Sequence, residues 1–161
     1  MKITILAAGK IKEKYFTDAI KEYSKRLTRY LSLSIEEIPD EPTPENASPA
    51  EQEKILSREG ARFCKAIDHN PGAYVIALAI DGKPYDSVAF SRHLSSLQVN
   101  GKSHLMFVIG GSLGLSREVL ARSNEEISFS KMTFPHQLMR VIVLEQIYRA
   151  QRIAHGEPYH K

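Results

Sequence analysis

The chain has one cysteine, Cys64, so it cannot close an internal disulfide, and that suits a reducing compartment. Cys64 falls in a helical pattern beside Phe63 and Ile67, where it reads as a small apolar packing residue before it reads as a nucleophile. No apolar run approaches the roughly 20 residues that a helix needs to span a bilayer. The short apolar start, Met1 to Leu6, has the look of a strand and runs into a lysine-containing helical stretch, unlike a secretion signal. A cytoplasmic location without membrane contact is the resulting expectation. Internal repeats and low-complexity tracts are missing as well. So are several catalytic signatures: a first-strand G-x-G-x-x-G, a G-K-[ST] after glycines, H-E-x-x-H or paired cysteines, and G-x-S-x-G. Dinucleotide, P-loop, zinc and serine-hydrolase chemistry therefore lack their usual sequence support. His93, His104, His136, His155 and His160 are scattered, and no metal centre is expected.

What is present describes an ordinary globular chain. With 161 residues, 42% hydrophobic and 25% charged, one domain over residues 1–161 can bury its own core. A formal charge of +3 permits a polyanionic partner without demanding one.

Strand and helix patterns alternate along the sequence. Residues 2–8 form an apolar strand that Gly9 ends, and Phe16, Ile20, Tyr23, Leu27 and Tyr30 mark the buried stripe of a helix predicted over 11–31. A strand over 33–38 precedes an acidic, proline-rich loop over 39–46. Ser48 with Glu51 opens a helix to about Ile67. The unbroken run from Tyr74 to Ile80 reads as a strand buried on both faces, and Asp81-Gly82-Lys83-Pro84 as the turn after it. A helix over 87–98, a strand ending at Ile109, a short helix over 117–122 and a strand ending at Ser130 follow. The expected fold is α/β, a mostly parallel sheet flanked by helices.

Two surfaces stand out. Lys14, Lys21, Lys25 and Arg29 share one face of the first helix with few acids near, a pattern open to two readings: a track for a phosphate backbone, or a solvated helix face. The final helix, predicted over 137–153, is apolar around almost its full circumference, which favours a second chain against it and hence a symmetric homodimer. Glu145 and Arg149 have ion-pair spacing on that helix.

Ligands of open parallel sheets sit beyond the carboxyl ends of strands. Two loops lie there: Gly110-Gly111-Ser112-Leu113-Gly114, whose glycines remove Cβ atoms that would hold a ligand off the main chain, and residues 130–136. Phe129, Met132 and Phe134 can enclose an apolar or aromatic ligand while the backbone reads its polar edges.

Met1 to Lys10, Phe107 to Leu115, Ser128 to His136 and Pro158-Tyr159-His160-Lys161 together closely resemble the RlmH family, small SPOUT-type methyltransferases of bacterial ribosomes. The resemblance spans the chain, with loops in matching order. It implies a trefoil knot near the carboxyl end, a homodimer, S-adenosylmethionine as cofactor, and methylation of N3 of a pseudouridine in 23S ribosomal RNA, with the assembled ribosome as the expected substrate. Carried over residue by residue, it implies a cofactor pocket of Leu78, Gly110, Phe129, Ser130, Lys131, Met132, Thr133 and Phe134. Glu145, Arg149, Tyr159 and His160 are the candidates for the substrate side, with His160 as a base and Arg149 stabilising charge on the uracil ring. Two other classes remain open at this point: a catalytically silent assembly factor that binds RNA and S-adenosylmethionine, and a nucleotide-dependent oxidoreductase.

Overall fold

Short, near-continuous apolar runs build the centre of one five-stranded sheet, seen in a computed structural model that describes residues 1–161. Its strands are β1 (Lys2–Ala8), β2 (Ser32–Ile38), β3 (Tyr74–Pro84), β4 (His104–Ile109) and β5 (Glu125–Ser128), in the order β2-β1-β4-β3-β5. Every neighbouring pair is parallel. The crossovers are helices α1 (Lys14–Leu27), α2 (Pro49–Asp68), α3 (Ser87–Val99) and α4 (Arg117–Arg122), and α5 (His136–Ala154) closes the chain. Alternate residues of each strand feed two cores. Ile3, Ile5 and Ala7 join Leu27, Phe90, Leu94, Val143, Leu144 and Ile147 under α1, α3 and α5. Leu6 and Ala8 join Phe63, Ile67 and Val119 under α2 and α4. The half-buried Cys64 packs against this second cluster.

Local signals explain most element ends. Ser48 accepts the Glu51 amide at 3.2 Å and Pro49 occupies the first turn of α2. The expected first helix is shorter than its apolar stripe suggested. Thr28 turns both its amide and its hydroxyl onto the Lys25 carbonyl, so α1 ends at Leu27 in a tight turn.

β3 departs further from expectation. Instead of turning at Asp81, the strand runs to Pro84, because Ile127 pairs with Leu78 and again with Lys83. The chain leaves β5 and returns to it five residues later. Gly82 makes that return possible, since a Cβ there would sit 2.6 Å from the Ile127 carbonyl carbon and 2.8 Å from that of Glu126. The expected burial of this strand on both faces holds for Val75, Ile76 and Ala77, while Ile80 is 49% exposed. β5 also stops early, at Ser128, where its hydroxyl donates to the Ser130 carbonyl and the loop begins.

The last helix meets more of its own chain than its composition suggested. α1 and α3 flank it, and Val143, Leu144, Ile147, Tyr148 and Ala150 are buried. Leu138, Val141 and Ile142 stay half-exposed. Arg140 is 2% exposed, donating to the carbonyls of Ala8 and Gly9 at 2.8 and 2.6 Å and to Glu37 at 2.6 Å. It thereby ties the start of α5 to the carboxyl ends of β1 and β2. Arg140→Met removes three charge-assisted bonds and strands two carbonyls. Because Glu37 is partly solvated, the expected loss lies toward the lower end of roughly 3–5 kcal/mol, read as a lower urea midpoint at unchanged slope.

Candidate active site

The carboxyl ends of β3, β4 and β5 lie side by side, and the loops leaving them enclose a cavity of about 650 Å³. Leu78, Gly110, Phe129, Ser130, Met132, Thr133 and Phe134 line it, together with Ile80, Gly111 to Gly114, His136 and Met139. Lys131, expected with them, is exposed and absent from the wall. The reason is a local turn: Ser130 accepts the Met132 amide at 2.9 Å, so the loop bends with residue 131 on its outer side. Ser112, Ser130, Thr133 and His136 are the polar side chains on the wall. His136 is held below its usual pKa, by burial first and then by the Arg140 charge, so its ring is neutral at neutral pH.

Two of the glycines of the first loop are also required by the loop itself. A Cβ on Gly110 would lie 2.5 Å from the carbonyl carbon and oxygen of Gly114, so this glycine lets the loop close on itself. One on Gly111 would lie 3.2 Å from the Glu59 carboxylate behind the loop. Glu59 is 5% exposed, accepts the Glu41 amide at 2.9 Å, and has its pKa raised chiefly by burial. Its sequence signal was there to find: an acid at the i+4 position between Ile55 and Phe63, on the stripe that ends at Ile67.

The four substrate-side candidates meet at one place. Glu145 Oε1 accepts from Arg149 Nη2 at 2.6 Å, Arg149 Nε at 3.1 Å and the Tyr159 hydroxyl at 3.0 Å. The Arg149 guanidinium lies 4.7 Å from the Tyr159 ring centroid, and its Nη1 approaches His160 Nδ1 at 3.1 Å. Arginine can only donate, so Nδ1 accepts and the ring proton resides on Nε2. In this arrangement His160 offers Nε2–H as a donor. Burial, then the bond to Glu145, pushes the Tyr159 pKa up to about 12, so its hydroxyl also stays a donor. The tail owes this position to residues the sequence did not single out. Tyr30 donates to Glu157 at 2.9 Å, Arg152 pairs with Glu157, and Arg152 donates to the Pro158 carbonyl at 2.7 Å.

The family description "Predicted SPOUT methyltransferase" matches residues 1–160. The chain belongs to the SPOUT methyltransferase family. Relatives named ribosomal RNA large subunit methyltransferase H share 54% identity in Clostridium kluyveri, 55% in Bifidobacterium adolescentis and 56% in Clostridioides difficile. Each alignment covers 100% of both chains.

A SPOUT methyltransferase needs a methyl donor and an acceptor, and this member has a second hollow beside the first. About 520 Å³ in volume, it lies between the start of α3, α5 and the tail, and Phe129 lines both. The basic face of α1 is less bare than its sequence suggested. Lys14 pairs with Asp18 at 2.8 Å, and Arg29 lies 3.5 Å from Glu157 and over the Tyr30 ring. Lys21 and Lys25 remain exposed without an ion pair. No helix is long and apolar enough to cross a membrane.

Proposed function

We propose that this single-domain protein transfers a methyl group from S-adenosylmethionine to N3 of a pseudouridine in bacterial 23S ribosomal RNA, acting on the assembled ribosome in the cytoplasm. The observation that carries the reading is a cavity walled by two strand-end loops, joined across Phe129 to a second hollow that His160 of the Glu145–Arg149–Tyr159–His160 cluster lines. The first cavity's volume, apolar walls and main-chain polar groups suit an adenosine with a flexible polar chain. Leu78, Gly110, Phe129, Ser130, Met132, Thr133 and Phe134 are the proposed contacts. When bound, the cofactor supplies a methyl that is already electrophilic, so the reaction asks for no metal. A trefoil knot near the carboxyl end, characteristic of the family, is part of the proposal.

The residues' work is orientation and charge. The Arg149 guanidinium and the His160 Nε2–H offer donors for the uracil oxygen on which negative charge gathers as N3 loses its proton to water. Glu145 holds Arg149 and Tyr159 in place. Lys21 and Lys25, with Lys14 and Arg29 as weaker members, are the proposed phosphate contacts, and folded ribosomal shape supplies the remaining recognition.

Purified protein mixed with ribosomes lacking the modification and methyl-labelled S-adenosylmethionine is expected to move label into the large-subunit RNA. Cofactor binding without label transfer would indicate a silent assembly factor, and preference for a nicotinamide dinucleotide an oxidoreductase. Binding measured by calorimetry is expected to survive chelator treatment. A homodimer is proposed on the half-exposed Leu138 and Val141 of α5. Light scattering at low micromolar concentration is expected to give twice the 18.1 kDa chain mass, and a stable monomer would overturn it.

A further inference from the structure

We propose that the second cavity receives the target base and that Asp86 selects pseudouridine over uridine there; the inference rests on the methyl-transfer reading above. The cavity adjoins the donor cavity across Phe129, and α5 lines the two with Met139 and Ile142, residues one turn apart. A base held in it therefore lies next to a donor held in the other. Its walls combine the rings of Tyr85, Phe90 and Phe129 with the polar groups of Asp86, Ser87, Gln146 and His160. Such a lining suits a flat heterocycle that presents π faces and a hydrogen-bonding rim.

A chain of hydrogen bonds joins this cavity to the tail cluster. Ser87 Oγ donates to Gln146 Oε1 at 2.8 Å, and Gln146 Nε2 donates to Glu145 Oε2 at 2.9 Å. Glu145 in turn holds Arg149 and Tyr159. The two sets of residues thus form one site, with His160 common to the cavity wall and the cluster.

Selection follows from ring chemistry. Pseudouridine is joined to ribose through carbon and keeps an N1–H, whereas the N1 of uridine carries the ribose and has no hydrogen. A reader of that difference must accept a hydrogen bond. Asp86 qualifies: it lines the cavity, its Oδ1 accepts the Ala89 amide at 2.7 Å as the cap of α3, and its second oxygen is not used by the cap. The carboxylate accepts N1–H from pseudouridine and finds no donor on uridine.

Asp86→Asn tests this without removing the cap, because asparagine caps helices as well as aspartate. It places an NH2 where the acceptor stood. S-adenosylmethionine affinity is expected to stay within about twofold of wild type. The kcat/KM on ribosomes carrying the unmethylated pseudouridine is expected to fall about 10–100-fold, the usual range for one hydrogen bond to a charged group. The ratio of transfer to those ribosomes over ribosomes whose uridine was never isomerised falls with it. An unchanged ratio overturns the role of Asp86. Val88→Phe, which fills the cavity, is expected to stop transfer while cofactor still binds. Wild-type transfer by that variant overturns the base site, as does loss of cofactor affinity in Asp86→Asn, which would assign the cavity to the donor. No label transfer by the wild-type protein instead marks failure of the methyl-transfer reading itself.

Discussion

Removing Pro158 to Lys161 is expected to leave S-adenosylmethionine affinity within about twofold of wild type while methyl transfer falls about 10³-fold or more. Neither Tyr159 nor His160 lines the larger cavity, the proposed donor site. Both belong to the Glu145–Arg149 cluster, and the truncation stops after Glu157, whose anchors on Tyr30 and Arg152 remain. Loss of one donor aimed at developing charge costs about 10²–10³ in rate, and the truncation also frees Arg149 to move. Equal activity in the truncated protein would remove the tail from the mechanism. The docked tail also sets a pH signature. The folded pKa of Tyr159 is raised to about 12 from the ordinary 10.0. The bond from its neutral hydroxyl to Glu145 therefore stabilises the fold fully below about pH 10, and that contribution is lost as pH climbs through about 12. Tyr74 is also raised, by burial first, so spectrophotometric titration is expected to show late-ionising tyrosines in the wild-type protein and one fewer of them in Tyr159→Phe. A tail already loose at neutral pH would show no such difference.

Gly110→Ala is the second large effect: S-adenosylmethionine binding is expected to weaken by about 100-fold or more. The added methyl would sit 2.5 Å from the Gly114 carbonyl carbon and oxygen, main-chain atoms with no flexible end to swing aside. The loop from Gly110 to Gly114 must open, and its main-chain groups leave the cavity wall. Overpacking of this kind typically costs about 1–3 kcal/mol in stability, small enough to leave a folded protein for calorimetry. Wild-type affinity in the variant would show that the loop geometry is irrelevant to the donor.

These two variants mark the boundary of what residue patterns reveal. Strand and helix order, the Ser48 cap of α2 and the two ligand loops follow from local chemistry, and all were readable. Gly110 was readable as a functional glycine but not as a self-contact, because Gly114 approaches only once the loop has closed. Asp81 to Pro84 has turn composition, and only its pairing with Ile127, more than forty residues on, makes it strand. Arg140 and Glu59 are charges on apolar stripes whose partners come from β1, β2 and the loop after β2. Lys131 belonged to the right loop and the wrong side of it, a matter of one turn fixed by Ser130. The smaller cavity was invisible, since Asp86, Phe129, Gln146 and His160 become neighbours only through the sheet order and the returning tail.

Nucleoside analysis of ribosomal RNA after reaction tests the central claim most directly. Ribosomes lacking the methyl group are incubated with the protein and methyl-labelled S-adenosylmethionine, the 23S RNA is digested, and the labelled nucleoside is identified by mass spectrometry. One label per 23S chain, on N3 of a pseudouridine and absent when that uridine was never isomerised, is the predicted result. Label on another base, equal label on the unisomerised control, or no label on ribosomes that the protein binds would contradict it.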